Sequence, residues 1–340
     1  MRFLRSAWYV AALPAEISRD PLRRVILEEP VVLYRRESGA AVALADVCPH
    51  RFAPLSRGRL FGDEIECPYH GLRFAANGAC TRNPNGNQVV PPGARLRAYP
   101  LIERYGLSWI WMGGAGQEDA ERIPDYSALE RRRMICGYTP VGANYELLND
   151  NIMDEGAHID FIHRSFRPPG TYARRGGYRQ EGDLIHSEGW WLDCELNEFM
   201  KPLWPGVARG DIYNFVHWHP PSSVLLEAGL RVGGMLDPGP LGPAAHFFTP
   251  ETASRTHYFW VTSHNRGATD RAYDEFVRST AKNAFEREDQ PIIEAIEANM
   301  AGRDFASLKP LSFSSDGAAV AVRRTLARLI EAEGHVRDWT

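Results

Sequence analysis

The stretches Cys48-Pro49-His50-Arg51-Phe52-Ala53-Pro54-Leu55 and Cys67-Pro68-Tyr69-His70-Gly71-Leu72 decide how this chain reads, with sixteen residues between His50 and Cys67. They spell Cys-x-His and then Cys-x2-His. A Cys2His2 zinc site uses the same ligand types and is the competing reading. A zinc finger, however, pairs Cys with Cys and His with His. Here each short loop offers one of each, as needed when two loops supply two metal ions with one ligand apiece.

Mixed pairs of this kind form the ligand set of a Rieske [2Fe-2S] centre, in which one iron takes two thiolates and the other two imidazoles. Neutral imidazole in place of anionic thiolate raises the potential, so Cys48, His50, Cys67 and His70 are expected to hold a one-electron relay. Pro49, Pro68 and Gly71 set tight turns whose backbone N–H groups can hydrogen-bond the sulfides.

At 340 residues the chain has room for two domains. A net charge of −4 with no long Lys or Arg run argues against a nucleic-acid partner, and Arg131–Arg133 is expected on a solvated face. Of five cysteines, Cys80, Cys136 and Cys194 remain outside the motif with no spacing that suggests disulfides, which fits a reducing cytoplasm. The apolar run Ala7–Leu13 behind Arg2 and Arg5 is short and is followed by Pro14 and Glu16, so a first strand or turn is expected rather than a secretory signal. No stretch is long enough to span a membrane.

Short strand signals fill the first third: Val25–Leu27, Val31–Tyr34, Ala41–Val47 and Ser108–Met112, separated by turns such as Pro84-Asn85-Gly86-Asn87. This predicts an all-β module with the Cys/His loops at its tip. The change of composition over Gly113–Glu121 sets the domain boundary at residues 1–115 and 116–340. Beyond it the pattern predicts a helical segment around Asn144–Arg164 and strands around Leu184–Met200, Ile212–His219, Val224–Met235 and His257–His264. A long helix over about Arg271–Met300 and a last one over Ala318–Glu333 follow. Without regular strand–helix alternation the fold class is α+β, an antiparallel sheet with long helices.

A second metal site is expected in the stretch NDNIMDEGAHIDFIHRSF, from Asn149 to Phe166. His158 and His163 lie about 140° apart on a regular helix, so both reach one ion only where the helix distorts or ends between them. An electron relay needs an acceptor, and two His with one carboxylate form the facial triad of mononuclear non-haem Fe(II), with positions left open for O2. Asp289 is the expected carboxylate. In FEREDQPIIEAI it shares the stripe Phe285, Asp289, Ile292, Ile296, where an acid without a cation is costly. Glu286 and Glu288 fall off that stripe and are expected in solvent.

Taken together, CPHR with CPYHG, NDNIMD before His-x4-His, HFFTPET, THYFW, REDQPIIEAI and the AWYVAA start resemble the oxygenase components of Rieske non-haem iron oxygenases. The likeness is to the vanillate and dicamba O-demethylase branch and covers nearly the whole chain. It implies a Rieske domain followed by a catalytic domain of helix-grip type. It also implies a homotrimer in which the [2Fe-2S] cluster of one subunit feeds the neighbour's mononuclear iron. A bridging Asp stands three residues before the first iron His in such proteins. Here Asp154 stands four before His158 and Glu155 three, so the NDNIMD register favours Asp154 and the distance favours Glu155. The likeness further places Asn151 near the iron, and His246 in a substrate pocket unless it is a surface or hydrogen-bonded His. His217 and His219 share a strand face and could line the cavity or serve the core. Trp190 and Trp191 are expected to pack.

The implied activity is a monooxygenase acting on a small aromatic, removing the methyl group of an aryl methyl ether as formaldehyde. Electrons from NADH would arrive through a separate reductase or ferredoxin, since no Gly-rich nucleotide loop is apparent. Oxidation of an N-methyl, ring-methyl or ring C–H is a near rival, and a Rieske electron carrier without oxygenase activity a more distant one.

Overall fold

The computed structural model describes residues 3–154, 156–163, 165–266 and 270–337. These divide into two compact units, Phe3–Ile123 with Thr249–Thr252, and Pro124–Phe248 with Ala253 onward. Residues 116–123, read from composition as part of the second domain, lie in the first unit. Thr249–Thr252 join it because Thr249 Oγ1 donates to the Val10 carbonyl and the Pro250 carbonyl accepts from Leu27 N.

In the first unit three small antiparallel sheets follow the sequence-predicted strands. Leu22–Ile26, Glu29–Arg35, Ala41–Ala45 and Ala98–Tyr99 form one; Arg59–Phe61, Glu64–Glu66, Arg73–Phe74 and Cys80–Arg82 a second. The N-terminal apolar run is a fully buried strand, Trp8–Ala12, paired with Leu107–Trp111. Val32, Leu44, Leu55, Ile65, Leu72 and Phe74 form a core that also takes in Cys48 and Cys67.

The second unit is built on an eight-stranded antiparallel sheet. Its order is Arg133–Val141, Arg255–His264, Ala244–Thr252, Ser223–Val232, Arg209–His219, Leu184–Glu195 and Ala173–Glu181, with Met235–Asp237 beside Ser223–Val232. Three of these strands, Arg133–Val141, Ala173–Glu181 and Ala244–Thr252, have no counterpart in the sequence reading. The glycines and arginines of ARRGGYRQE, almost all exposed, carry none of the alternation that marks a half-buried strand.

Helices differ most from expectation. The segment expected over 144–164 is a helix only over Tyr145–Met153, capped by Asn144 Oδ1, which accepts from Glu146 N. A 3-10 turn, Ala157–Asp160, follows Gly156, whose φ of +74° is left-handed. The expected long helix is Arg271–Lys282, a π-helix Asn283–Asp289, and Gln290–Met300. The wider turn shifts the register, so Ile293 is buried while Ile292 and Ile296 are 45% and 40% exposed. Asp289 is inward as expected, but its inward partner is Ile293, not Ile292 or Ile296.

Helix Tyr145–Met153 is held from two sides. Asn149 Oδ1 accepts from Ser222 Oγ and Trp218 Nε1 of the sheet. Arg323 of helix Gly317–Arg337 donates to Asp150 and Glu146. Burial pushes both carboxyls up, against the pull of Arg323. On the other side Glu286, Glu294 and Glu297 accept from Thr139 Oγ1, Gly142 N and Asn144 N, fixing the approach to that helix.

Candidate functional site

The first unit repeats one loop twice. Cys48 N donates to Ala53 O and Phe52 N to Cys48 O; Cys67 N donates to Leu72 O and Gly71 N to Cys67 O. The fifth residue of each loop is left-handed, Phe52 at φ +58° and Gly71 at +72°. Asp46, buried before the first loop, accepts from Ser56 N, Ser56 Oγ and Arg23 Nη1. The equal hydrogen bonding presents one buried Cys and one outer His from each side: the His50 and His70 rings lie 4.6 Å apart, His50 exposed and His70 half-buried. Burial, with Cys67 beside it, pushes the Cys48 thiol up to about 11. His70 Nδ1 is buried without a hydrogen-bond partner. Two adjacent buried thiols and an orphaned imidazole nitrogen fit a [2Fe-2S] cluster with mixed ligation.

In the second unit the chain beyond Met153 turns at Gly156 and brings His158 and His163 to a ring separation of 5.2 Å. The 3-10 turn Ala157–Asp160 holds His158 and ends before His163, which allows what a regular helix forbids at this spacing. A Cβ at residue 156 would meet the Trp191 ring at 2.6 Å, so glycine serves the close approach as well as the backbone angle. Ligand atoms of His158, His163 and Asp289 all lie within 4.8 Å of one another.

Each His donates its Nδ1–H to a carboxylate: His158 to Asp154 Oδ1 at 2.6 Å and His163 to Glu288 Oε2 at 2.7 Å. Nε2 of each is thereby left for a metal, the arrangement in which an outer carboxylate fixes the tautomer of a ligating His. Burial lowers the His163 pKa, but the hydrogen bonds with Asp289 and Glu288 outweigh it and hold the ring above its ordinary value. Asp154 Oδ2 also accepts from His158 N, and Asn151 Nδ2 donates to Asp289 Oδ1. Two imidazoles and a carboxylate with their other atoms satisfied fit a mononuclear iron.

The three residues open onto a cavity of about 310 Å³ lined mainly by apolar side chains, among them Ile159, Phe166, Trp191, Phe199 and Phe285. His246 is in the lining, 2% exposed, its Nδ1 bonded to Tyr258 OH and its Nε2 without a partner. Burial pushes its pKa down to about 4.

The structure departs from the sequence reading at several residues. Glu288 and Glu286 are half-buried and hydrogen-bonded rather than solvated, Glu288 through the π-turn that sets it beside Asp289. His217 and His219 are absent from the lining; His217 pairs with His186 and Glu227. Trp191 lines the cavity, while Trp190 packs on Tyr213 and Phe215. Arg132 is half-buried against Gly242. Glu155 lies outside the described residues.

Comparison with known proteins gives two family matches: the Rieske [2Fe-2S] domain over residues 7–100 and the vanillate O-demethylase oxygenase C-terminal domain over residues 141–332. The chain is 37% identical to the oxygenase component of dicamba O-demethylase from Stenotrophomonas maltophilia, over 98% of this chain and 99% of that protein. It is 36% identical to the oxygenase component of chloroacetanilide N-alkylformylase from Rhizorhabdus wittichii (strain DC-6 / KACC 16600), over 98% and 97%. A crystal structure of dicamba monooxygenase bound to 3,6 dichlorosalicylic acid is similar with a TM-score of 0.90 at 35% identity, covering 98% of this chain and 99% of that one.

Proposed function

We propose, since this chain belongs to the oxygenase components of the Rieske non-haem iron oxygenases, in the branch of the vanillate and dicamba O-demethylases, that it removes a methyl group from an aryl methyl ether. Members are terminal oxygenases that hydroxylate methyl groups of aromatics with electrons from a partner reductase or ferredoxin, and the electron-carrier reading falls away. The observation that carries the reading is the set His158, His163 and Asp289 opening on an apolar cavity of a size for one small aromatic.

Cys48, His50, Cys67 and His70 would hold the cluster; His158, His163 and Asp289 would hold the iron. When bound, these groups supply single electrons and the activation of O2. Asp154 and Glu288 hold the two His rings and keep their Nδ1 protons in place. Asn151 orients the Asp289 carboxylate. The apolar lining keeps bulk water from the reacting methyl group and orients the ring by shape. Adding one oxygen atom to O–CH3, with O2, two electrons and two protons consumed and one water released, gives a hemiacetal that collapses to a phenol and formaldehyde.

The chain acts as a homotrimer in this reading, with Asp154 linking the His158 of one subunit to a cluster His of the next. The exposure of His50 and the contact of Asp154 with His158 support it. N-dealkylation by the same C–H chemistry is the second reading, favoured by the likeness to the N-alkylformylase component.

Single-turnover formaldehyde release from methoxy- and methylamino-aromatics decides between them. Formaldehyde from methoxy members alone fits O-demethylation, and from methylamino members alone the second reading. None from either, with both metals loaded, overturns both. Sedimentation of the holoenzyme as a monomer would overturn the trimer.

No helix among the described residues is long and apolar enough to cross a membrane.

A further inference from the structure

Asp160 ends the 3-10 turn that carries His158, and its side chain is 11% exposed. The turn does not need that carboxylate: Ile159 N donates to Gly156 O, and Phe161 N and Ile162 N donate to His158 O. The donors come instead from two other elements. Asp160 Oδ1 accepts from Trp191 Nε1 at 3.0 Å and from Tyr172 OH at 2.7 Å, and Oδ2 faces Arg174 Nη1 at 3.4 Å.

Both hydrogen-bond donors to Oδ1 hold the cavity wall. Trp191, 2% exposed, lines the cavity from strand Leu184–Glu195, and its ring also closes on Gly156 at the start of the turn. Tyr172 ends residues 165–172, of which Phe166 and Pro168 are in the lining. The start of that stretch is pinned as well: Phe166 N and Arg167 N donate to the His163 carbonyl, and Asn197 Nδ2 to the Ser165 and Arg167 carbonyls. One side of the wall is therefore tied to the backbone of His163 and, through a single carboxylate oxygen, to the turn of His158. A displacement of about 1 Å between reacting groups costs on the order of 100-fold in rate.

We propose, resting on the reading that this cavity holds an aromatic whose methyl group is oxidised, that Asp160 is a positioning residue. It locks Trp191 and Tyr172 to the His158 turn, so that the bound ring and the iron keep one separation. Without the lock the C–H bond stands off unbroken. O2 then takes two electrons from the reductase or ferredoxin and two protons from water, and leaves as hydrogen peroxide.

The test uses the holoenzyme, reduced, freed of reductant and mixed with O2 in single turnover, with o-anisate, anisole or N-methylaniline as the probe. Formaldehyde and peroxide are counted per bound mononuclear iron. Asp160→Ala should cut formaldehyde about tenfold or more and raise peroxide in its place. Asp160→Asn keeps the Oδ1 acceptor and gives up only the long contact with Arg174, 32% exposed, so it should stay within about threefold of the unaltered protein. Trp191→Phe keeps a ring in the wall but loses the N–H, and should fall between the two. A second readout needs no aromatic: the EPR signal of the nitric oxide adduct of the mononuclear iron should broaden in Asp160→Ala and keep its shape in Asp160→Asn.

A merely supporting Asp160 would lower the folded or iron-loaded fraction and leave both yields per bound iron unchanged, which overturns the proposal. Asp160→Asn as damaged as Asp160→Ala overturns it too, because charge and not the Oδ1 bonds would then matter. Should the alanine variant not fold or not hold iron, Trp191→Phe against Asp160→Asn decides, and equal peroxide yields overturn the proposal. If the unaltered protein releases formaldehyde from no methoxy- or methylamino-aromatic, the methyl-oxidising reading falls. A broadened nitric oxide signal in Asp160→Ala would then leave the lock standing, and an unaltered one would bring down both.

Discussion

The two metal sites are assembled in opposite ways. At the cluster site one short loop is used twice, Cys48–Ala53 and Cys67–Leu72, with the same two backbone hydrogen bonds and the same left-handed fifth residue. At the iron site a broken helix supplies His158 and His163, and a π-turn far along the chain supplies Asp289 and Glu288. A site made of local loops owes its geometry to a few consecutive dihedrals. One made of distant elements owes it to everything that holds those elements, here the Arg323 pairs and the carboxylates of Glu286, Glu294 and Glu297. The first should fail by loss of a ligand, the second also by loss of support.

The largest effect expected is from Cys67→Ala, which should abolish the Rieske EPR signal of the reduced protein together with turnover. His158→Ala should keep that signal and lose only the mononuclear iron and activity. Loss of both metals from either variant, with the fold retained, would break the separation of the two sites.

Next, Asp289→Ala should remove the mononuclear iron, and Glu288→Gln should weaken iron binding about 10- to 100-fold by removing the charge that holds the His163 ring. Iron titration of both variants checks this. Unchanged affinity in Glu288→Gln would mean that the π-turn places only the ligand and not its support.

Asp154→Asn keeps the shape but removes the charge that holds His158. Turnover should fall about 10- to 100-fold with both metals still bound, and Glu155→Gln should change it far less. Crippled Glu155→Gln with normal Asp154→Asn would transfer the bridging role to Glu155.

The smallest effect sharpens the contrast between backbone and side chain. Gly156→Ala should cost about 1–3 kcal/mol of stability, because it strains a φ of +74° and crowds Trp191. Gly62→Ala, at φ +55° with nothing within 4 Å, should cost less, and thermal melts compare the two.

The contrast also explains which parts were legible. Strands such as Glu29–Arg35 and Leu107–Trp111 carry their apolar runs openly, and the buried N-terminal strand follows from its composition. The Asp289 argument reached a buried residue through a stripe that the structure breaks: a regular period of 3.6 points Ile292 inward, and the π-turn turns Ile293 there instead. The same turn hid Glu288, whose sequence position gives no sign of its bond to His163. His217 and His219 alternate as a cavity pair would, yet they are not in its lining.

By itself the sequence determined the ligand types of both sites, since thiolate, imidazole and carboxylate in these spacings belong to few chemistries, but it carried one helix through Gly156, where the structure breaks it. Tertiary structure alone decided which carboxylate meets which imidazole and which side chains line the cavity. Those outcomes depend on contacts between elements distant along the chain, and a one-residue change of helical phase is enough to exchange an inward side chain for an outward one.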